Sequence, residues 1–380
     1  MKILTVLTYY YPHWTGLTAN ARRIAEGLAR RGHEVTVLTS QHSPDLPREE
    51  IVGGVRVVRL PALMRVSRGM IMPTLPAVLW RLMRWAEIVH AHTPMLEAPL
   101  IAGYGRLLHR PVIITHQADL LMPPGVVNAI IKWIVTGLVG LGLRWSTYIT
   151  TLNSDFARHA TLLQPFRDKL EAIYPPVELP PPDRQAAAAW RRELGLEGRP
   201  LVGFAGRWVK EKGFDYLLQA IPLVRQALPD AHFIYAGDAH VVYENFFAEC
   251  QPYLEPVREH VTMVGLIRDP ARLANFYAMC DVFCLPSRID CFATVQVEAL
   301  LSGTPVVATD IPGAREVVQV TGMGRLAPPR DPAGIAANLV EVLQNRERYL
   351  RPRAEIEGIF SVERSVAAFE QLMLRWARSE

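Results

Sequence analysis

Two acids separated by seven residues, Asp290 and Glu298, lie in the stretch CDVFCLPSRIDCFATVQVEALLSGTPVVATD between Cys280 and Asp310. An ionised carboxylate accepts several hydrogen bonds at once, so such a pair suits the hydroxyls of a sugar and a ribose. Thr294, between them, is placed to cap a helix. The free N–H groups and partial positive charge of that helix start, at Thr294 and Val295, suit a diphosphate. Upstream, GRWVKEKG puts Arg207 and Lys212 between two glycines at a strand-to-helix turn. Glycine lets backbone approach a ligand closely. The cations, one a planar fork and one a point charge, would offset negative charge on a leaving group. Lys210 and Glu211 in the same turn read as solvated side chains.

The elements that must hold these residues follow from the pattern. Residues 281–285 read as a buried parallel strand, residues 288–293 as a loop, and Ser302-Gly303 as a helix stop before the strand 306–308. Both acids then fall on the carboxyl-end side of a parallel sheet, where open α/β sheets bind ligands. Residues 200–205 are a strand feeding the Arg207–Lys212 turn. Residues 261–266 are another, with Gly265, Leu266 and Ile267 at its end. The N-terminal residues 1–7 form a first strand, followed by a loop with Gly16, a helix predicted to start near residues 18–20, and a second strand. Residues 51–60 read as a hairpin or edge strand. His116 and Asp119 sit at the end of the strand 111–115, and His90 and His92 read mainly as structural. Asn153 caps a helix after the strand 147–151. Five prolines between Tyr174 and Pro182 make a linker, which predicts domains at residues 1–178 and 179–360 and a closing helix at 361–380. Val366, Phe369, Leu372 and Met373 fall on one face of that helix.

Composition bounds the reading. The chain has 380 residues, half of them hydrophobic, and a formal charge of +4. That excess suits nucleotide diphosphates or anionic headgroups and does not call for nucleic acid. Cys250, Cys280, Cys284 and Cys291 lack the partners of a zinc site, so no metal is expected. No G-x-G-x-x-G follows the first strand, which disfavours a nicotinamide dehydrogenase. No signal-peptide pattern opens the chain, which predicts a cytoplasmic location. Residues 126–143 are unusually apolar. With Lys132, Trp133, Arg144 and Trp145 at the rim, and together with a separate stretch that holds Arg65, Arg68, Trp80, Arg81, Arg84 and Trp85, they predict a surface that lies on a membrane. A span is not predicted, because the segment belongs to a βα repeat.

The acid-x7-acid unit, flanked by PS and EAL-x-SGTPVVATD, strongly resembles the signature of the retaining glycosyltransferases of family 4. The family's first acid is usually Glu followed by Phe-Gly; here they are Asp290 and Phe292-Ala293. The G-R-x4-K-G turn is similar to the family's diphosphate clamp, which maps onto Arg207 and Lys212. His116 matches a histidine that contacts the donor sugar, and Gly16-Leu17 stands where the family commonly has two glycines, so Gly16 would approach the donor. The resemblance runs from Lys2 to the closing helix and is strongest over residues 201–318. It implies the GT-B fold: an α/β chain with two Rossmann-like domains facing across a cleft, and a last helix crossing back to the first. It also implies transfer of a sugar from a UDP- or GDP-sugar with no cofactor required. Glu298 would bind the ribose, Asp290 the sugar hydroxyls, and the loop Gly265, Leu266, Ile267 the base. The apolar segments lean towards a lipid or lipid-linked glycan acceptor and peripheral contact with the inner face of the cell membrane. A sugar-nucleotide epimerase, a phosphorylase and an inactive nucleotide-binding homologue stay open as alternatives.

Overall fold

The computed structural model describes residues 1–66, 69–120, 125–239, 241 and 244–377. Arg68 lies outside them. The chain divides into two compact units, Met1–Pro176 with Val362–Glu380, and Val177–Ser361. Residues 173–183, which hold the five prolines, carry no helix or strand.

The first unit contains β1 (Lys2–Val6), β2 (Glu34–Gln41), β3 (Glu49–Val52), β4 (Val55–Pro61), β5 (Met64–Val66), β6 (Gly69–Ile71), β7 (Ile88–Thr93), β8 (Val112–His116), β9 (Tyr148–Thr151) and β10 (Leu170–Ala172). Eight of them form one sheet in the order β10-β9-β8-β7-β1-β2-β4-β3, with β5 and β6 as a separate hairpin. Only β3 runs antiparallel in the large sheet, as the hairpin partner of β4. Strand order reverses between β1 and β7, so this is the sheet's switch point. From Ile3 onward the central strands are buried, as parallel strands covered on both faces must be, and β7 and β8 carry His90, His92, Thr115 and His116 among their apolar residues. The closing helix, Val362–Ala377, buries Val366, Phe369, Leu372 and Met373, the four residues that its spacing predicted. It packs on the helix Gly16–Arg30, in the first unit's core.

The second unit contains β11 (Leu201–Ala205), β12 (His232–Ala236), β13 (Val261–Gly265), β14 (Val282–Leu285), β15 (Val306–Thr309) and β16 (Gly324–Ala327). Its sheet is wholly parallel, in the order β13-β12-β11-β14-β15-β16. The order reverses between β11 and β14, and the loops leaving those two strands are the basic turn and the acidic loop. The sheet therefore delivers both motifs to one switch point. Under the basic turn lies an aromatic cluster. Trp208 is fully buried, with its ring centroid 4.8 Å from Tyr235, 5.3 Å from Phe214 and 6.0 Å from Phe204. A buried indole inside the turn anchors the charges on either side of it.

Candidate active site

Each loop of the second unit is shaped by the other. After β11 the chain turns through Gly206 and half-exposed Arg207, whose Nη2 is 3.4 Å from Glu211 Oε1. Lys210–Lys212 form one 3-10 turn, and Gly213 adopts φ +67° before the helix Phe214–Ala227. A Cβ on Gly213 would stand 2.1 Å from the carbonyl oxygen of Pro286. Only glycine permits both that backbone conformation and that approach. Across the contact, Arg288 N–H donates to Glu211 O at 2.8 Å, and Lys212 Nζ donates to Asp290 Oδ2 at 2.6 Å. Ser287 Oγ donates to the same oxygen at 3.4 Å. Asp290 also bridges Gly313 in strand fashion. A Cβ on Gly313 would lie 2.4 Å from Cys291 O, so the loop at residues 311–316 is pressed against the acidic loop too.

Lys212 and Asp290, given separate roles on the sequence, are thus an ion pair with both side chains largely buried. Burial works against the ammonium. The charge and hydrogen bond of Asp290 outweigh it, with Glu211 adding to them and Arg207 opposing, and the Lys212 pKa is raised. Lys210 points an exposed side chain to solvent, as expected. Its carbonyl and that of Glu211, however, are the acceptors that hold Arg288.

The helix between the two acids is Thr294–Leu301. Thr294 is not its cap. The N-cap is Ala293 in an extended conformation, and no side chain closes the end, because Thr294 has already entered the helix. An alanine cap leaves the first-turn N–H groups without the side-chain acceptor that threonine would supply. Thr294 and Val295 are half-buried there. Glu298, in the second turn, accepts from Tyr277 Oη at 2.9 Å. Burial first, then the charge of Glu298, pushes the Tyr277 phenol far above its usual range, so it stays a donor. Gly265 and Leu266 are exposed and Ile267 half-buried at the end of β13, two strands from β11. Among the described residues no three His, Cys, Asp or Glu side chains gather as metal ligands.

In the first unit, His116 ends β8 and is buried. Its Nδ1 is 3.0 Å from Thr93 Oγ1, its Nε2 3.3 Å from Asp119 Oδ1, and Phe156 stacks on the ring. Gly16 is the first residue of the helix Gly16–Arg30, which starts earlier than the pattern suggested because Thr15 and Thr18 form a capping box. The space around Gly16 is open: nothing lies within 4 Å of where a Cβ would stand. Asn20 and Gln117, which sequence reasoning passed over, complete this end of the sheet. Asn20 Nδ2 donates to Gln117 Oε1 at 3.0 Å, and Gln117 Nε2 donates to His92 Nδ1 at 2.8 Å. Gln117 follows a strand-end histidine and Asn20 sits in the second turn of a helix that starts at the carboxyl end of β1, which was the available signal. His90 Nε2 lies 2.6 Å from Thr115 Oγ1. Burial lowers the His90 pKa to about 3 and holds His92 well below its usual value, so both rings are neutral.

Two doubly wound parallel sheets in one chain, each with polar side chains at its switch point and a last helix returned to the first unit, define the GT-B class of fold. Relatives agree with it. Residues 15–176 match the glycosyl transferase 4-like domain, and residues 199–345 match glycosyl transferases group 1. The chain is 27% identical to phosphatidyl-myo-inositol mannosyltransferase of Mycobacterium leprae, over 93% of this chain and 91% of that one. It is 27% identical to GDP-mannose-dependent alpha-mannosyltransferase of Mycolicibacterium smegmatis, over 92% and 90%. The crystal structure of Anabaena Alr3699/HepE in complex with UDP superposes with a TM-score of 0.77 at 19% identity, covering 99% of this chain and all of that one. The chain belongs to the family 4 glycosyltransferases, glycosyl transferases group 1. It is a hexosyltransferase that uses a nucleotide-sugar donor.

Proposed function

We propose that the second unit holds a UDP- or GDP-hexose and that the first unit receives a lipid or lipid-linked glycan at the cytoplasmic face of a membrane. The observation that carries the donor assignment is the Lys212–Asp290 pair beside an uncapped helix N-terminus, at the switch point between β11 and β14. In this reading Arg207, Lys212 and the amides of Thr294 and Val295 grip the diphosphate, Glu298 takes the ribose, and Gly265, Leu266 and Ile267 line the base. Asp290 neutralises Lys212 while the site is empty. When a diphosphate takes the ammonium, the carboxylate is released to the sugar hydroxyls. The bond from sugar C1 to the phosphate oxygen breaks with its electron pair going to the phosphate, the acceptor oxygen bonds C1 on the same face, and its proton passes to that phosphate oxygen. Configuration is retained, and the clamp carries the charge that develops. His116 and the Gly16 helix start serve the hexosyl and acceptor groups.

The relatives narrow the search. One is named for GDP-mannose and another for phosphatidyl-myo-inositol, which makes GDP-mannose and an inositol phospholipid the first pair to try. Support for a membrane surface comes from the helix Val126–Trp145. Val126, Ile130, Trp133 and Ile134 are exposed along it, with Lys132 and Arg144 also exposed. An apolar helix face of that kind, rimmed by cations, lies on membranes. Among the described residues no helix is long and apolar enough to cross one.

The test is transfer from radiolabelled UDP- and GDP-hexoses to vesicles containing phosphatidylinositol, with the product anomer read by NMR. The reading expects a glycolipid of retained configuration, and loss of vesicle co-sedimentation in Trp133→Ser with Ile130→Ser. Donor turnover that needs no acceptor, or a product of inverted configuration, would overturn it.

A further inference from the structure

Arg288 lies two residues before Asp290, yet its guanidinium serves the opposite loop. Nη1 and Nη2 fork onto the Asp215 carboxylate at 2.9 and 2.5 Å, and Nη1 also donates to the carbonyl of Lys210 at 2.6 Å. The guanidinium sits 4.2 Å from the centre of the Tyr216 ring. Its own backbone N–H holds Glu211 O. The side chains of Arg288 and Asp215 are 14% and 11% exposed, so the pair is sheltered from water and screened little by salt. A guanidinium employed in this way has little left to offer a ligand. It fixes the turn Lys210–Lys212 from both ends, by the carbonyl at Lys210 and through Asp215 in the first turn of the following helix. Lys212 stands between those anchors.

We propose that Arg288 is the positioning residue of the diphosphate clamp: through Lys210 and Asp215 it sets the turn that delivers Lys212 to the donor. The assignment rests on the reading of the second unit as the donor half. It requires the planar fork, because a lysine ammonium is a point charge and cannot hold a carboxylate bidentately and a carbonyl in the same plane. The site thereby acquires a division of labour. Lys212 and Arg207 face the anion, and Arg288, a third cation, holds their turn in place.

The experiment is calorimetric binding of UDP, GDP, uridine and guanosine to the full chain as wild type, Arg288→Lys, Asp215→Asn and the double variant. The wild type should prefer one diphosphate over its nucleoside. In Arg288→Lys the affinity for that diphosphate should fall by about tenfold or more, as misplacement of a charged group does. Affinity for the nucleoside should not change, because its contacts are on Glu298 and the Gly265 loop. Asp215→Asn should reproduce the loss, and the double variant should be no worse than either single one, as for two residues acting as one unit. Equal loss for nucleoside and diphosphate would show a merely structural role and overturn the assignment. So would an intact diphosphate preference in both single variants. A wild type with no preference for diphosphate over nucleoside would instead remove the donor reading, and this assignment with it.

Discussion

The carboxyl ends of the two sheets are built from different chemistry. In the second unit the switch point is charged and cross-tied: Lys212 to Asp290, Arg288 to Asp215, and glycines at 213 and 313 where one loop presses on the next. In the first unit the same place holds a buried network of uncharged amides and the neutral His92, Asn20 to Gln117 to His92, with His116 beside it between Thr93 and Asp119. Charge suits a diphosphate, whose binding must be bought back from water by opposite charge and fixed dipoles. Neutral donors and acceptors suit hydroxyls, whose desolvation is offset by ordinary hydrogen bonds. In the proposed reading the same architecture, twice over, meets two recognition problems with different side chains at each switch point.

The largest effect expected from breaking that contrast is at Lys212. Lys212→Ala removes the cation and leaves Asp290 without its partner. Loss of one preorganised electrostatic group should raise the barrier by roughly 2–4 kcal/mol, a fall in kcat/KM of about thirty- to a thousandfold. Arg207→Ala should fall in the same direction, and unchanged turnover in Arg207→Ala would remove it from the clamp.

A pair of glycines sharpens the comparison. Gly213→Ala forces a side chain into φ +67° and against Pro286 O, and should cost about 1–3 kcal/mol. The melting temperature should drop by several degrees, at roughly 2–4 °C per kcal/mol for a domain of this size. Gly16→Ala meets open space and an ordinary helical conformation, so stability should hold and any change should appear in the KM for acceptor.

The histidines of the first unit's switch point and the lysine of the second unit's turn should respond to opposite ends of the pH scale. The pKa values of His90 and His92 are depressed in the fold, so the unfolded chain takes up protons that the fold refuses. The stability carried by the neutral rings is complete above about pH 6.5 and is lost as pH falls towards about 3 for His90. Each ring should contribute a slope of up to about 1.4 kcal/mol per pH unit in that window. His90→Gln should flatten the fall in melting temperature between pH 7 and 5. The raised pKa of Lys212 has the reverse sign: its contribution is complete below about pH 10.4 and disappears as pH rises through the folded value.

Much of this was legible in the sequence because it is local. The strand, acidic loop and helix around Asp290 and Glu298, the turn carrying Arg207 and Lys212, the hairpin at residues 51–60 and the buried face of the closing helix all follow from runs, spacing and turn residues. What the sequence hid is contact at long range. Lys212 and Asp290 are 78 residues apart, and Arg288 and Asp215 are 73 apart. Nothing in either segment's composition announces the pairing; it exists because β11 and β14 are neighbours. The two misplaced helix starts have a different cause. Thr294 and the residues near Thr18 are good caps by type, but a cap is defined by backbone conformation, and the chain enters each helix earlier than the favoured side chain.

The central claim is that the second unit, through Lys212 and Glu298, holds a nucleoside diphosphate. Thermal shift of the full chain with UDP and GDP, in wild type, Lys212→Ala and Glu298→Ala, tests it most directly, because a ligand that binds only the folded state raises the melting temperature by mass action. The account predicts a clear shift of the wild type with one of the two nucleotides and its loss in both variants. A shift that survives in both variants would place the nucleotide elsewhere and contradict the account.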